Sequence, residues 1–559
     1  MKININIIVG KENVDLEVKK GVSILKIIEE FPRKLEEIKK EEGPFLIAEI
    51  EGEYKSLATT IEKETTIKLL GVKSQAANIS YQNTLIVMYL YSVERAMQAV
   101  NVKIENTLSG GVFSLIEGLD QVDYELCEKI KAEMNTLVKR NLKIRQYEVW
   151  GEEGETLLKK EGVDYSKDFF AKATKENPFR YCEFDGFKKV VYSVLMPNTG
   201  MVDKWDVNSY KEGLVLRGPD DRHGFAMADF EEEENLYKAF KQEKEWGEML
   251  KINNIEELNE AVKNGDIKEK MLLAESFHQQ KIVEITKEIV DKGSRIIFLS
   301  GPSSSGKTTT SKRLILQLKV NGYETVYIGT DDYFVERHEQ PKDEYGEYDF
   351  DRGLENMDVS LFVENMKDLL SGKEVDIPVY DFVEGKKVFG TRKSRLKEGE
   401  LIIVEGIHAL NKEISKDIDE SDKYKIYISP LTQINIDEHN RVSTRDNRLI
   451  RRMIRDHSHR DYSPQDTLKT WPKVRDGEER NVFPGNKEAD VVFNSSLIYE
   501  LGVLRKYIEP LLAEVGRDEE AYAEANRILG FIRKIEVIED ENYIFKVSLL
   551  REFIGGGVF

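Results

Sequence analysis

RIIFLSGPSSSGKTTTSKRLILQL, residues 295–318, decides the fold class of this chain. Its apolar opening, residues 295–300, predicts a buried strand, and the segment after Thr308 predicts a helix. Between them, residues 301–308 fit the pattern GxxxxGK followed by Ser or Thr without a mismatch. Glycines let the backbone wrap around a phosphate, amide groups converge on its oxygens, and the helix N-terminus adds positive potential. The stretch therefore predicts a nucleotide-binding loop; the alternative is a chance match by a Ser- and Gly-rich turn.

The loop assigns roles to individual residues. Lys307 is expected to reach the outer phosphates of a nucleoside triphosphate, and Thr308 to hold a magnesium ion. A nucleoside triphosphate and Mg²⁺ are therefore the expected ligands of the loop. The residues expected to bind the phosphates are Gly301, Ser303, Ser304, Ser305, Gly306, Lys307, Thr308 and Thr309.

The composition is that of a protein with several folded domains. The chain has 559 residues, of which 40% are hydrophobic and 33% charged, and it is too long for one core. No apolar run approaches the roughly 20 residues that a membrane span needs. Apolar and polar residues alternate over residues 1–9, which is typical of a half-buried strand. Cys127 and Cys182 are too few for a disulfide framework, which favours reduced thiols in a cytoplasmic protein. The net charge of −20 disfavours broad nucleic-acid binding and leaves a local basic patch open.

Five segments follow from changes of pattern along the chain. Residues 1–71 have the order β-β-α-β-β, which predicts a small β-grasp domain, and residues 72–228 mix helices and strands as an α+β domain. Residues 229–291 are charged and helical, and we interpret them as a connector. Residues 292–512 alternate strand and helix, which predicts a doubly wound parallel sheet. Residues 513–559 form a tail, predicted as a helix followed by a hairpin-like pair of extended runs.

The first two segments resemble parts of aminoacyl-tRNA synthetases. Residues 1–71 resemble the TGS domain of threonyl-tRNA synthetases in the order of their elements. Residues 72–228, with the turn at 106–113, are similar to the second additional domain of threonyl- and alanyl-tRNA synthetases. That family carries a metal-binding or editing site built on histidines, whereas this chain has no histidine before His223. We therefore expect neither zinc nor hydrolysis of aminoacyl-tRNA in this half.

Acidic residues end two predicted strands of the C-terminal half. The strand at 325–330 leads into Asp331 and Asp332, and the carboxyl ends of parallel strands open onto the ligand crevice. Because neighbouring side chains on a strand point to opposite faces, only one of these aspartates is expected to face a substrate. The strand at 400–406 carries Glu405, where Mg²⁺ and the reacting phosphate are expected. The alternatives are a solvated turn at the aspartates and a buried strand with a capping glutamate.

Residues 447–460 predict an amphipathic helix with arginines along one side. At about 100° per residue, Arg448, Arg451, Arg452 and Arg455 fall within one stripe about 100° wide, opposite the apolar residues. A guanidinium group can donate two hydrogen bonds at once to phosphate oxygens. The stripe therefore predicts a lid helix that closes on a triphosphate. The alternative is an ordinary solvated helix face.

The motifs together indicate which class of phosphate-loop protein this chain resembles. Neither the NKxD motif of GTPases nor the LSGGQ motif of transporter ATPases occurs, which favours the small-molecule kinases. Residues 295–512 resemble the uridine kinase/phosphoribulokinase family, and they resemble uridine kinases more closely than phosphoribulokinases. The motifs that carry this resemblance stand at 301–308, 330–333, 348–351, 377–382, 404–407 and 451–456.

The resemblance implies a role for each matching residue. It implies Asp331 as the general base, Asp351 as a ligand of a ribose hydroxyl, Tyr380 as part of the nucleoside pocket and Glu405 as a residue near the metal. It further implies that Arg452, Arg455 and Arg460 bind phosphates. Arg455 is also implied to contact the substrate, and Arg455 and Lys307 are both implied to take part in catalysis.

Two departures from the family pattern qualify these roles. Residues 383–386 stand where pyrimidine-specific relatives have a base-reading histidine, and Tyr462 stands where the family has a second lid arginine. The leading hypothesis is an ATP- and Mg²⁺-dependent kinase for the 5′-hydroxyl of a nucleoside, with uridine and cytidine as first choices. The alternatives are a sugar-phosphate kinase of the phosphoribulokinase type and an RNA-associated regulatory ATPase. The expected fold is a multidomain α/β protein, with the kinase domain last.

Overall fold

The computed structural model describes residues 2–36, 43–98, 100–219, 225–340 and 353–559. Within these ranges no helix combines the length and the apolar character that crossing a bilayer requires.

The N-terminal unit is a mixed sheet with a short helix packed on it. Its elements are β1 (Lys2–Val9), β2 (Glu12–Lys19), β3 (Val22–Ser23), α1 (Ile24–Glu30), α2 (Pro32–Glu36), β4 (Phe45–Ile50), β5 (Glu53–Ser56), β6 (Thr60–Ile61) and β7 (Thr65–Gly71). The sheet order is β2-β1-β7-β4-β5, with β1 and β7 parallel at its centre. Ile5 and Ile7 of β1 point into the core with Ile24 and Ile27 of α1, as the period-two pattern predicts. The predicted β-β-α-β-β order is present, and the likeness to TGS domains stays a prediction.

The second unit is built around one nearly buried helix. Its elements are α3 (Gln75–Met97), β8 (Val102–Leu108), β9 (Gly111–Ile116), α4 (Tyr124–Arg140), β10 (Arg145–Val149), α5 (Gly151–Glu161), α6 (Lys167–Ala171), β11 (Phe179–Phe184), β12 (Phe187–Val190), β13 (Asp206–Tyr210) and β14 (Gly213–Arg217). Helix α3 packs against Leu46 and Ile47 of the first unit and against the sheet β13-β14-β9-β8, so the two units share a core. Cys127 and Cys182 lie buried there as free thiols.

Three helices lead to the C-terminal sheet: α7 (Glu234–Leu250), α8 (Ile255–Asn264) and α9 (Ile267–Lys292). The segment predicted as a connector also contributes to the core of the next domain. Ile282, Ile285 and Ile289 of α9 pack with Ile297 and Leu299, the strand residues that precede the phosphate loop.

The C-terminal domain has the predicted parallel sheet. Its elements are β15 (Ile296–Ser300), α10 (Lys307–Val320), β16 (Thr325–Gly329), α11 (Val359–Leu370), β17 (Glu374–Asp376), β18 (Val379–Asp381), β19 (Lys386–Val388), β20 (Lys393–Arg395), β21 (Leu401–Glu405), α12 (Lys412–Ser415), β22 (Lys423–Ser429), α13 (Thr444–Arg460), α14 (Pro464–Asn481), β23 (Val491–Asn494) and α15 (Glu500–Ala513). The five main strands run parallel in the order β16-β21-β15-β22-β23. Helices α9 and α10 cover one face and α11 the other, which explains why β15 is apolar throughout.

The tail differs from the prediction in its second half. A helix, α16 (Tyr522–Ile532), lies within the predicted 519–533, but residues 534–559 contain no strand and end in a short helix, α17 (Arg551–Ile554). The predicted pair of extended runs is therefore wrong. Ile535, Ile538 and Phe553 are buried in the same core as α13 and α15, and this tertiary packing overrides the local β pattern.

The front half also contacts the loop that leads into α13. The Ile104 N–H donates to the Glu438 carbonyl at 2.9 Å, and Asn435 Nδ2 donates to the Ile104 carbonyl at 2.7 Å. Asn440 Nδ2 donates to the Val190 carbonyl at 3.2 Å. The base of the predicted lid helix is therefore held by the second unit as well as by its own domain.

Candidate active site

The phosphate loop has the geometry that its glycines were expected to provide. Gly306 precedes α10 with φ +82°, a left-handed conformation that side chains rarely adopt. A Cβ at Gly301 would collide with the carbonyl oxygen of Ile428 on the neighbouring strand. The loop can therefore close between β15 and α10 only with glycine at these two positions.

Lys307 folds back along the loop. Its Nζ donates to the Pro302 carbonyl at 3.1 Å. Burial lowers the pKa of the Lys307 ammonium, and the negative charges of Glu405 and Asp331 oppose this shift. The hydroxyls of Ser304 and Ser305 are buried and have no hydrogen-bond partner among the described residues. Buried polar groups are normally paired, so these hydroxyls fit a loop that receives further oxygen atoms from a ligand.

Thr308 and Glu405 come together across the end of the sheet. The Thr308 hydroxyl donates to Glu405 Oε2 at 3.3 Å, and the Tyr327 hydroxyl donates to the same oxygen at 2.7 Å. No group of three or more His, Cys, Asp or Glu that could hold a metal occurs in the described part of the chain. Mg²⁺ is commonly held by one or two protein oxygens together with substrate phosphates, so the Thr308–Glu405 pair fits this ion.

The two aspartates after β16 have different environments. Asp332 pairs with Arg392 at 2.8 Å, whereas Asp331 lies within reach of the charges of Glu405 and Lys307. Asp331 is exposed to solvent. Nearby protein atoms still remove part of its hydration, and this desolvation together with the Glu405 charge raises the pKa of Asp331 to about 6, although Lys307 opposes the shift.

The side chains of Asp331 and Asp332 point apart, but not because of the strand alternation that the sequence predicted. Residues 330–333 form a single turn of 3₁₀ helix rather than a continuation of the strand. Successive side chains are about 120° apart on such a turn, so Asp331 and Asp332 diverge without strand alternation.

The arginine stripe on α13 is divided between two tasks, which corrects the prediction that all four arginines face a triphosphate. Arg448 and Arg451 are 1% and 0% exposed and form buried ion pairs with Glu478 and Glu500. Arg451 also donates to the Ser495 carbonyl at 2.9 Å. These two arginines therefore belong to the core behind the loop.

Arg452 and Arg455 lie on the loop itself. Each donates to the Ser303 hydroxyl at 3.1 Å. Burial lowers the pKa of Arg455 to about 10, and the nearby Arg460 charge adds to that shift. Arg460 is half exposed at the helix end and pairs with Asp456 at 3.2 Å.

The predicted nucleoside pocket is only partly described. Tyr380 is 4% exposed and forms an aromatic cluster with Phe334 and Phe382, with ring centroids 5.6 and 5.1 Å away. A Cβ on Gly385 would lie 2.6 Å from the Cβ of Arg337, whose guanidinium caps the Phe382 and Val383 carbonyls. Asp351 lies outside the described residues.

Several residues of the site were missed at the level of sequence. The buried Glu478 accepts from the Ser303 N–H at 2.6 Å, Tyr327 supports Glu405, and Glu552 accepts from the Thr309 hydroxyl at 2.7 Å. Tyr327 lies on β16, the strand that leads into the turn carrying Asp331, so its position was a usable signal. Glu478 and Glu552 lie 175 and 243 residues from their loop partners, and no local pattern indicates such contacts.

Comparison with known proteins agrees with this geometry. Residues 296–498 match the Phosphoribulokinase / Uridine kinase family. The uridine kinases of Staphylococcus aureus strains JH9 and Newman are 29% identical over 202 residues, which is 36% of this chain and 87% of each relative.

Two solved structures align with part of this chain at low identity. A possible uridine kinase from Bacillus stearothermophilus is 20% identical, with a TM-score of 0.27, and covers 38% of this chain and 98% of its own. The D-glycerate 3-kinase from Cryptococcus neoformans is 13% identical, with a TM-score of 0.21, and covers 50% of this chain and 88% of its own.

The class follows from the family match and the site together. The C-terminal part of the chain is a phosphate-loop kinase domain, and its family implies the use of ATP. It is a domain of the phosphoribulokinase/uridine kinase family, and the synthetase-like identity of the front half stays a prediction.

Proposed function

We propose that the protein transfers the γ-phosphoryl group of ATP to the 5′-hydroxyl of a nucleoside, with uridine and cytidine as first choices. One observation carries this proposal. Asp331 forms no ion pair with any residue that the structure describes, it has a raised pKa, and it stands at the same sheet edge as Lys307 and the Thr308–Glu405 pair.

Asp331 is suited to the role of general base. A base works best when its pKa lies near the working pH, and the pKa of about 6 leaves Asp331 ionised at pH 7. It would accept the proton of the 5′-hydroxyl while that oxygen forms a bond to the γ-phosphorus and the bond to ADP breaks. Asp332 is held by Arg392 and would not take part.

The remaining groups of the site neutralise negative charge. Mg²⁺, held by Thr308 and Glu405, would supply charge neutralisation at the phosphates. Lys307 would exchange its bond to the Pro302 carbonyl for the outer phosphates, and Arg455 would reach the transferred group from α13.

The substrate assignment rests on the aromatic cluster and on family likeness. Phe382 is exposed and packs against the buried rings of Tyr380 and Phe334, so its ring offers an apolar face on which a base can stack. The curated relatives are named uridine kinases, which supports a nucleoside over a sugar phosphate. Gly385 carries no side chain to read a base edge, so we propose looser base discrimination than in pyrimidine-specific kinases, with Asp351 on the ribose.

Incubation with labelled ATP and a panel of nucleosides, sugar phosphates and RNA tests the proposal. We expect a nucleoside 5′-monophosphate to form. Activity restricted to a sugar phosphate, or loss of ATP only in the presence of RNA, would support the two alternatives instead.

Site-directed variants test the assignment of the base. Asp331→Asn is expected to lose about 10²–10⁴-fold in kcat while ATP binding persists. Asp332→Asn is the matched control, and it is expected to be far milder in kcat because its partner Arg392 lies outside the reacting centre. A reversed order of the two effects would contradict the assignment.

A further inference from the structure

The C-terminal segment, residues 545–559, packs directly on the phosphate loop. Leu549 is fully buried, and its Cδ2 lies 3.0 Å from where a Cβ on Gly306 would stand. The segment lies outside residues 296–498, the part of the chain that matches the kinase family. It therefore reaches the phosphate loop from outside the matched part of the chain.

Glu552 of this segment contacts two groups of the nucleotide site. Its Oε2 accepts from the Thr309 hydroxyl at 2.7 Å, and its Oε1 lies 4.0 Å from Arg455 Nη1. Thr309 belongs to the first turn of α10, where backbone N–H groups lack intrahelical partners and the helix dipole favours anions. A carboxylate thus stands beside the position at which the loop is expected to hold phosphates.

The site offers more donors than Glu552 uses. Arg455 Nε and the hydroxyls of Ser304 and Ser305 are buried without hydrogen-bond partners among the described residues. Ser304 and Ser305 are 2% and 0% exposed. A ligand with several anionic oxygens would satisfy these groups, whereas a single carboxylate does not.

The backbone that carries Glu552 is firmly anchored. Phe553 is 1% exposed and lies under the Arg451 guanidinium, 4.9 Å from the ring centre. Arg551 donates to the Glu541 and Ile544 carbonyls at 2.7 and 3.2 Å. The Glu552 side chain itself is 21% exposed, so it can turn away while the segment stays in place.

We propose that Glu552 is a positioning residue of the nucleotide site, which holds Thr309 and Arg455 and yields both to the phosphates when ATP binds. The proposal rests on ATP binding by the proposed kinase. The Glu552 carboxylate keeps Arg455 aligned before ATP binds. Because the same carboxylate repels the incoming triphosphate, it also weakens ATP binding.

Glu552→Gln separates the charge from the hydrogen bond, since the amide oxygen still accepts from Thr309. Titration calorimetry of the full chain with the β,γ-imido analogue of ATP measures binding without phosphoryl transfer. We expect Glu552→Gln to bind the analogue about five- to tenfold more tightly at low salt, and less so at high salt. KM for ATP should fall by the same factor.

One control isolates the effect. Glu539→Gln removes the same charge from an exposed pair with Lys506 and should leave binding unchanged. Unchanged or weaker binding by Glu552→Gln, with normal binding by the wild-type protein, would overturn the inference alone. Failure of the wild-type protein to bind the analogue would overturn the proposed function as well.

Discussion

The division of the arginine stripe gives a sharp prediction about Arg451. Its guanidinium pairs with Glu500, and the two side chains are 0% and 2% exposed. Replacing one partner of a buried ion pair leaves the other charge uncompensated, which typically costs about 3–5 kcal/mol. Glu500 keeps bonds from Asn447, Ser496 and the Leu497 N–H, so the lower end of that range is expected.

Arg451→Met should therefore destabilise the kinase domain by about 3 kcal/mol of unfolding free energy. At about 2–4 °C per kcal/mol for a domain of this size, the midpoint of thermal unfolding should fall by about 6–12 °C. Calorimetry of the full chain measures that transition. Arg460→Met is the matched control on the same helix, and since Arg460 is half exposed its midpoint should move by no more than about 2 °C.

A second variant distinguishes a core role from a phosphate-binding role. Arg451→Met/Glu500→Gln removes both charges and should recover much of the lost stability, because no uncompensated charge remains. If Arg451 were instead a ligand of the triphosphate, Arg451→Met would weaken ATP binding strongly and leave the unfolding midpoint nearly unchanged. That result would refute the division of the stripe.

Three further predictions follow from the site. If Asp331 is the general base, it acts only when ionised, and with a pKa of about 6 kcat/KM should be level above pH 7 and fall about tenfold per pH unit below 6 in a pH profile. If Asp351 holds a ribose hydroxyl, 2′-deoxyuridine should be about tenfold or more poorer than uridine in steady-state kinetics, because an unpaired buried acceptor costs about 1–3 kcal/mol; equal turnover would contradict the ribose contact. Metal analysis of the purified full chain should find no stoichiometric zinc, and one zinc per chain would contradict the expectation that the front half holds no zinc.

Local chemistry made a large part of the kinase domain predictable. The loop at 301–308 has a demanding backbone, in which Gly301 and Gly306 are required by close approach and by a positive φ. An apolar run such as β15 is buried on both faces, which only a sheet covered on both sides allows. Parallel strands bring their carboxyl ends to one edge, so Asp331 and Glu405 were expected together before any contact was known.

Helical periodicity predicted the position of the arginines but not their partners. The 100° spacing places Arg448, Arg451, Arg452 and Arg455 on one side of α13, as it would on any helix. What lies opposite that side depends on α14, α15 and α17, which meet α13 only in the folded chain. For this reason two arginines became core ion pairs, although the sequence pattern treated all four alike.

The sequence by itself determined the phosphate loop, the parallel sheet and the acidic residues at its edge, because each follows from backbone requirements within a few residues. The tertiary structure alone decided the surroundings of that loop. Glu478 and Glu552 reach it from positions far along the chain, and the tail packs as irregular structure and a short helix where a strand pair was expected. Such contacts arise from burial of apolar surface such as Leu549 and Phe553, which is non-directional and leaves no local pattern.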